Sequence, residues 1–194
     1  MRFFRNRILA WKFGKYYSTM AVLLGLLMVT GCTSKETAKL KFSFHLNKKE
    51  EFIASNQIAI WLQNSEGNYV ETFFVCDYLS YGGYTIPDVC PNWVSKSDWQ
   101  KQSGEVVDAV SQATPDVGEV VLEFDFPGDE LAPGKYKYCI EVHVAENYNE
   151  LYAGDIEIEE SGEPGISEVA VTYQPGKYEK GSGLLSNVKV QFEK

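Results

Sequence analysis

Histidine and cysteine are scarce in this chain: His45 and His143 are its two histidines, and four cysteines complete the supply of soft or imidazole ligands in 194 residues. None of them has the spacing of a zinc site. Cys139 and His143 come closest, but side chains four residues apart on a strand lie about 13 Å apart. A glycine-rich phosphate loop and a nucleophile elbow are also missing, which removes the commonest signatures of nucleotide binding and of hydrolysis. There is no internal repeat, and so no solenoid or propeller. Positive charge is in short supply, with 18 Lys plus Arg against 27 Asp plus Glu. A net charge of -9 argues against a nucleic-acid partner.

The one long apolar run, residues 20–30, is too short to span a bilayer. It follows Arg2, Arg5, Arg7, Lys12 and Lys15, with no acid among residues 1–17, and it ends in Val29-Thr30-Gly31-Cys32. A basic leader, an apolar segment and a small residue before Cys form a lipoprotein signal peptide, so the expected organisation is a signal peptide over residues 1–31 and a diacylglyceryl group on the Cys32 sulfur. Residues 32–39 are expected to be a lipidated tether, and residues 40–194 a single domain. Losing the leader removes only positive charge and leaves 13 Lys plus Arg against 27 acids, about -14. Thr33 rather than Asp after the lipid site favours the outer membrane, by analogy with enteric bacteria. In the oxidising envelope, Cys76 and Cys90 bracket one Gly- and Pro-containing loop and are expected to form a disulfide, with Cys139 left over.

Past the tether the dominant pattern has period two. Phe42, Phe44 and Leu46 alternate with Lys41, Ser43 and His45. Residues 57–63 and 69–76 form a hairpin about Ser65-Glu66-Gly67-Asn68, and further strands are expected at 119–126, 135–145, 151–159, 166–173 and 185–192. Seven or eight short strands predict an all-β sandwich. His45 and His143 alternate with apolar neighbours and are expected on solvated faces. Asp155, Glu157 and Glu159 share one face, read as a charged outer surface that protects an edge rather than as a calcium site. Residues 77–104 interrupt the rhythm with Tyr, Trp, Gly and Pro and one short helix starting after Pro91 and running through Trp93 and Trp99. Insertions of this length in a sandwich commonly carry function.

The insertion leads into Asp108-Ala109-Val110-Ser111-Gln112-Ala113-Thr114. Pro115 biases Thr114 toward an extended backbone, which presents its hydroxyl, and Ala113 leaves room for a large partner to approach. Asp108 and Ser111 are placed for local hydrogen bonds. This heptad resembles the Asp-x-x-Ser/Thr-x-Ala-Thr acceptor of exported flavoproteins, such as the covalent-flavin subunits of sodium-pumping quinone reductases. The resemblance implies FMN attached through a phosphoester to Thr114, presentation by Asp108, Ser111 and Ala113, and an FAD:protein FMN transferase as partner. Two positions depart from the pattern: Gln112 stands where Gly is frequent, and Pro115-Asp116 follows in place of a basic residue. The competing reading is an ordinary passage from strand to turn in which Asp108 and Ser111 cap backbone groups.

A wider resemblance rests on Ile58-Ala59-Ile60-Trp61, the Gly67 turn, the Trp-bearing insertion, the heptad, and Pro133-Gly134-Lys135-Tyr136 leading to Glu141-Val142. Over residues 40–173 this order is similar to the predicted periplasmic proteins of domain of unknown function 2271. That likeness implies an immunoglobulin-like sandwich and a setting beside PepSY-type membrane redox proteins, a cofactor and a setting rather than a reaction; separately, no catalytic residues are expected in the chain. A flavin ring would need a flat support, for which Trp93, Trp99, Tyr81 and Tyr84 are the candidates. The same aromatics could equally be a packed satellite core or a glycan platform. An electron-carrying flavoprotein, a ligand- or protein-binding sandwich, and a structural lipoprotein therefore remain as alternatives.

Overall fold

The alternation seen at residues 41–46 begins earlier than expected. β1 (Thr37–Leu46) buries Ala38, Leu40, Phe42, Phe44 and Leu46 and turns the residues between them outward. The computed structural model describes residues 37–48, 55–145, 148–158, 165–167, 170–174 and 183–194, all within one unit, Glu36–Lys194. The expected signal peptide and Cys32 lie outside the described residues. The expected tether, residues 32–39, is too long, because Ala38 is already buried and paired with Phe126.

Two sheets face each other. The first holds β5 (Gly118–Pro127), β1, β10 (Leu185–Glu193) and β8 (Gly165–Ser167), in that order. The second holds β4 (Ser111–Gln112), β3 (Tyr69–Cys76), β2 (Gln57–Asn64), β6 (Gly134–Ala145), β7 (Tyr148–Ile158) and β9 (Ala170–Gln174). This is an all-β sandwich, as expected. The β2–β3 hairpin turns where sequence placed it: Asn64 Oδ1 accepts from the backbone N–H groups of Glu66 and Asn68, and Gly67 takes a φ of +80° that a side chain would resist. One expected strand, residues 166–173, is two. β8 pairs with β10 and β9 with β7, so the chain changes sheets between them. Period-two alternation fits either sheet equally well and cannot reveal such a switch.

The core lies between the sheets. Phe42 meets Tyr138 edge to face at 6.2 Å between centroids, and Phe73, the extra residue of a bulge in β3, packs on Phe124 and Phe126 of β5. Each such side chain contributes about 1.5–3 kcal/mol by leaving water. β10 lies between β1 and β8, so the sandwich requires it.

A third layer covers the outer face of the larger sheet. Residues 77–110 contain three short helices, α1 (Asp77–Tyr81), α2 (Pro91–Ser97) and α3 (Gly104–Val110), with 3-10 turns at Gly83–Thr85 and Trp99–Lys101. The single helix expected through Trp93 and Trp99 is interrupted because Asp98 adopts a left-handed φ of +49°. Among the described residues no helix is long and apolar enough to cross a membrane.

Candidate functional site

Because α1 to α3 cover it, the outer face of β2 and β6 is not solvated. His143, expected on a solvated face, is buried at 6% exposure, and Glu141 beside it on the same face is buried at 0%. Strand periodicity assigned them correctly to the face opposite Ile140 and Val142 but could not show that a layer lies over that face. His45 is half-exposed and pairs with Glu119 at 2.8 Å. Asp155 and Glu157 are exposed, as expected of a charged outer face, and Glu159 lies outside the described residues. No group of three or more metal-ligating side chains occurs among the described residues.

Glu141 fastens the covering layer. Its carboxylate accepts from Asn92 Nδ2 at 2.7 Å and from the backbone N–H groups of Asn92 and Trp93 at 3.3 and 2.8 Å, the donors at the start of α2. These N–H groups have no partner within the helix, and a carboxylate across the interface replaces the usual side-chain cap. Burial raises the Glu141 pKa, and the bonds from Trp93 and Asn92 oppose that rise. Asn149 acts as a second fastener. Its Oδ1 accepts from Cys90 N, its Nδ2 donates to the Asp88 carbonyl, and His143 Nδ1 lies 3.1 Å from Oδ1. With Oδ1 fixed as an acceptor, the neutral His143 ring carries its proton on Nδ1. The same network holds Cys90 at φ +45°, a conformation that costs about 1–2 kcal/mol in a residue with a Cβ.

Burial lowers the His143 pKa below 6.5, against the opposing bond to Asn149 and the charge of Asp88. The unfolded chain therefore takes up this proton first as the pH falls. Its contribution to stability is present above pH 6.5 and is lost as the pH falls toward the lower folded value. Each pH unit within that window removes at most about 1.4 kcal/mol. Urea denaturation from pH 8 to 5 is expected to show this slope in the wild type and a shallower one in His143→Asn. Equal slopes would assign the acid sensitivity to another group.

Trp93 and Trp99 are not available as a flavin support. They are 0% and 3% exposed, and their ring centroids lie 4.8 Å apart within the covering layer. Their indole N–H groups donate to Thr72 Oγ1 and to the Ser80 carbonyl. They are the apolar anchor of the insertion, which is the satellite-core reading. The Cys76–Cys90 disulfide is likewise not formed: Cys76, Cys90 and Cys139 are buried free thiols. Cys76 Sγ accepts from Ile58 N at 3.2 Å, whereas Cys90 Sγ turns toward the Gln57 carbonyl at 3.7 Å. The two sulfurs thus engage opposite ends of the same β2 peptide group, which loop closure alone could not reveal. Burial raises all three thiol pKa values, that of Cys139 to about 12. Thiol alkylation of the folded protein should therefore be negligible, with three reactive thiols in the Glu36–Lys194 unit after denaturation. A bridged 76–90 peptide in a non-reducing map would overturn this assignment.

The heptad sits at the rim of the larger sheet. Asp108 lies on exposed α3, Ser111 and Gln112 form β4, and β4 pairs in parallel with Val75 and Cys76 at the end of β3. Ser111 Oγ donates to the Val107 carbonyl at 2.6 Å and so closes the last turn of α3. Asp108 Oδ1 accepts from the Tyr81 hydroxyl at 2.7 Å. Ala113 and Thr114 are exposed. The insertion and the heptad therefore share one rim. Sequence reasoning placed Tyr81 among several aromatics but missed its bond to Asp108, since residues 27 apart carry no periodic signal.

The exposed Thr114 hydroxyl thus lies at the rim of a β-sandwich, close in sequence to Asp108 and Ser111, whose side chains are already engaged. The chain belongs to the family of predicted periplasmic proteins designated DUF2271, whose sequence profile matches residues 37–173. The match ends before β10, although β10 is integral to the first sheet. Neither a curated protein nor a solved structure matches the chain.

Proposed function

We propose that this protein is an envelope lipoprotein that carries FMN covalently on Thr114 and takes part in electron transfer outside the cytoplasm. The observation that carries the proposal is the exposure of Thr114 at the rim, in a segment whose other motif residues, Asp108 and Ser111, already have hydrogen-bond partners. A transferase acting on a folded domain needs an acceptor with that accessibility.

In the attachment, Thr114 Oγ1 bonds to the FMN phosphorus of FAD as the bond to AMP breaks. AMP leaves, and the hydroxyl proton passes to a base. A threonine hydroxyl is a weak nucleophile, so an FAD:protein FMN transferase supplies that base and its metal. Thr114 offers the oxygen, Ala113 keeps the approach open, and Ser111 and Asp108 hold the preceding turn and helix. FMN contributes reversible uptake of one or two electrons. The chain itself supplies placement and has no catalytic residues in this reading.

The rest of the proposal follows from the leader and the family. Cys32 bears the lipid, residues 1–31 are removed, the sandwich is of immunoglobulin-like type, the anchor is in the outer membrane, and a PepSY-type membrane redox protein exchanges electrons with the flavin. Exposed Tyr78, Tyr81 and Ile86 favour a second reading, a non-catalytic binding surface for a ligand or protein. Coexpression of the exported protein with a competent transferase separates the two. The flavoprotein gains one FMN less water in intact mass, with absorbance that survives denaturation. An unchanged mass rejects the carrier reading in favour of the binding surface.

A further inference from the structure

Tyr81 is 63% exposed, yet its hydroxyl is fixed. It donates to Asp108 Oδ1 at 2.7 Å, so the phenol is tied to the first residue of the heptad from a separate helix. A surface tyrosine ordinarily keeps its rotamer freedom, and holding it has an entropic cost that one solvent-exposed hydrogen bond only partly offsets. Next to it, Tyr78 is 58% exposed and lies against Gly83. A Cβ at Gly83 would come within 2.9 Å of the Tyr78 ring, so the glycine makes the seat for that ring. α1 thus presents two aromatic rings at the rim that holds Thr114, and this is the flat surface that buried Trp93 and Trp99 cannot provide.

From this arrangement, and resting on the reading of Thr114 as the acceptor, we infer that Tyr81, oriented by Asp108, is the platform on which the flavin ring lies. The reach is suitable: three residues of extended chain from Ser111 to Thr114 span about 10 Å, a length comparable with the phosphate and ribityl chain between the acceptor oxygen and the ring. Asp108 then acts on the cofactor through Tyr81. It is a positioning residue, which gives the first position of the heptad a physical role distinct from recognition by the transferase. The exposed upper face of Tyr81 leaves the opposite side of the flavin open to a redox partner.

A tyrosine stacked on an oxidised flavin quenches its fluorescence by electron transfer and imposes chirality on its visible absorption. Full-length protein is coexpressed with the transferase as wild type, Tyr81→Leu and Tyr81→Phe, and each is measured for intact mass, flavin fluorescence yield and visible circular dichroism. All three are expected to carry the FMN mass, because Tyr81 lies outside the heptad. Fluorescence should rise at least five-fold in Tyr81→Leu and in Tyr81→Phe. The visible dichroism should be lost in Tyr81→Leu and reduced in Tyr81→Phe, which can still stack but has lost the bond to Asp108 that orients the ring. Full flavinylation with unchanged fluorescence and dichroism in Tyr81→Leu would overturn the platform while leaving the acceptor intact. Adduct in the wild type but none in Tyr81→Leu would also overturn it, assigning Tyr81 to transferase docking. A wild type without adduct removes the acceptor reading itself.

Discussion

On the proposed reading, replacing Thr114 by Val is expected to eliminate the FMN adduct in cells that contain the transferase and to leave the fold intact. Valine is nearly isosteric with threonine but has no oxygen to bond phosphorus, so the effect on modification is all or none. The position is exposed at the rim of the sandwich. The change in stability is accordingly expected within about 1 kcal/mol. Ser111→Ala is the control. It removes the bond to the Val107 carbonyl and loosens the end of α3 but leaves the acceptor oxygen in place, so most of the adduct remains. Intact mass and the urea midpoint, measured on the same samples, decide both points. An adduct persisting in Thr114→Val would place the flavin on another hydroxyl.

The largest expected loss of stability comes from the opposite face of the same sheet. Glu150 is fully buried on the inner side of β7 and accepts from the hydroxyls of Tyr148 and Tyr152 and from the backbone N–H groups of Gly183 and Leu184. Tyr152 Oη in turn accepts from Leu185 N at 2.8 Å, so one carboxylate ties the entry of β10 to the core. Glu150→Ala leaves several buried donors without their acceptor and should cost about 3–5 kcal/mol. Glu150→Gln should cost about 1–2 kcal/mol, because the amide oxygen can serve the donors gathered at Oε2 while the amide nitrogen donates to a rotated Tyr148 hydroxyl. Urea denaturation distinguishes these outcomes. Equal losses in the two variants would mean that charge, not acceptor geometry, holds the site.

Much of the sandwich was legible because strand periodicity, turn residues and burial agree at Phe42, Phe44, Ile58, Ile60 and Gly67. The failures share one cause. Period two reports which residues share a face but not what lies over that face. It therefore placed His143 in solvent, where the covering layer buries it, and missed Glu150, whose flanking residues Tyr148 and Tyr152 at i±2 were the available signal of a buried polar cluster. The heptad was visible as a pattern of residue types. Its geometry was not, since Asp108 is positioned by Tyr81 on α1 and Ser111 by the end of α3. The tryptophans drew attention for their chemistry and prove to serve packing, a distinction that requires knowing the exposure of each ring.

The covering layer and the paired sheets are expected to open as separate units, with the layer the weaker of the two. Its helices have five to seven residues, too short to persist alone, and they depend on anchors such as Glu141, Asn149 and the Trp93–Thr72 bond. Local opening can release such a layer at a free energy well below that of global unfolding, with the two sheets still paired. Thr114 joins these units: its segment leaves α3 in the weaker one and runs through β4 into the first sheet by way of β5. The lifetime of the closed layer therefore sets how long Tyr81 and Thr114 keep their common rim, so on the proposed reading an electron-transfer rate would follow the breathing of residues 77–110 rather than the stability of the sandwich.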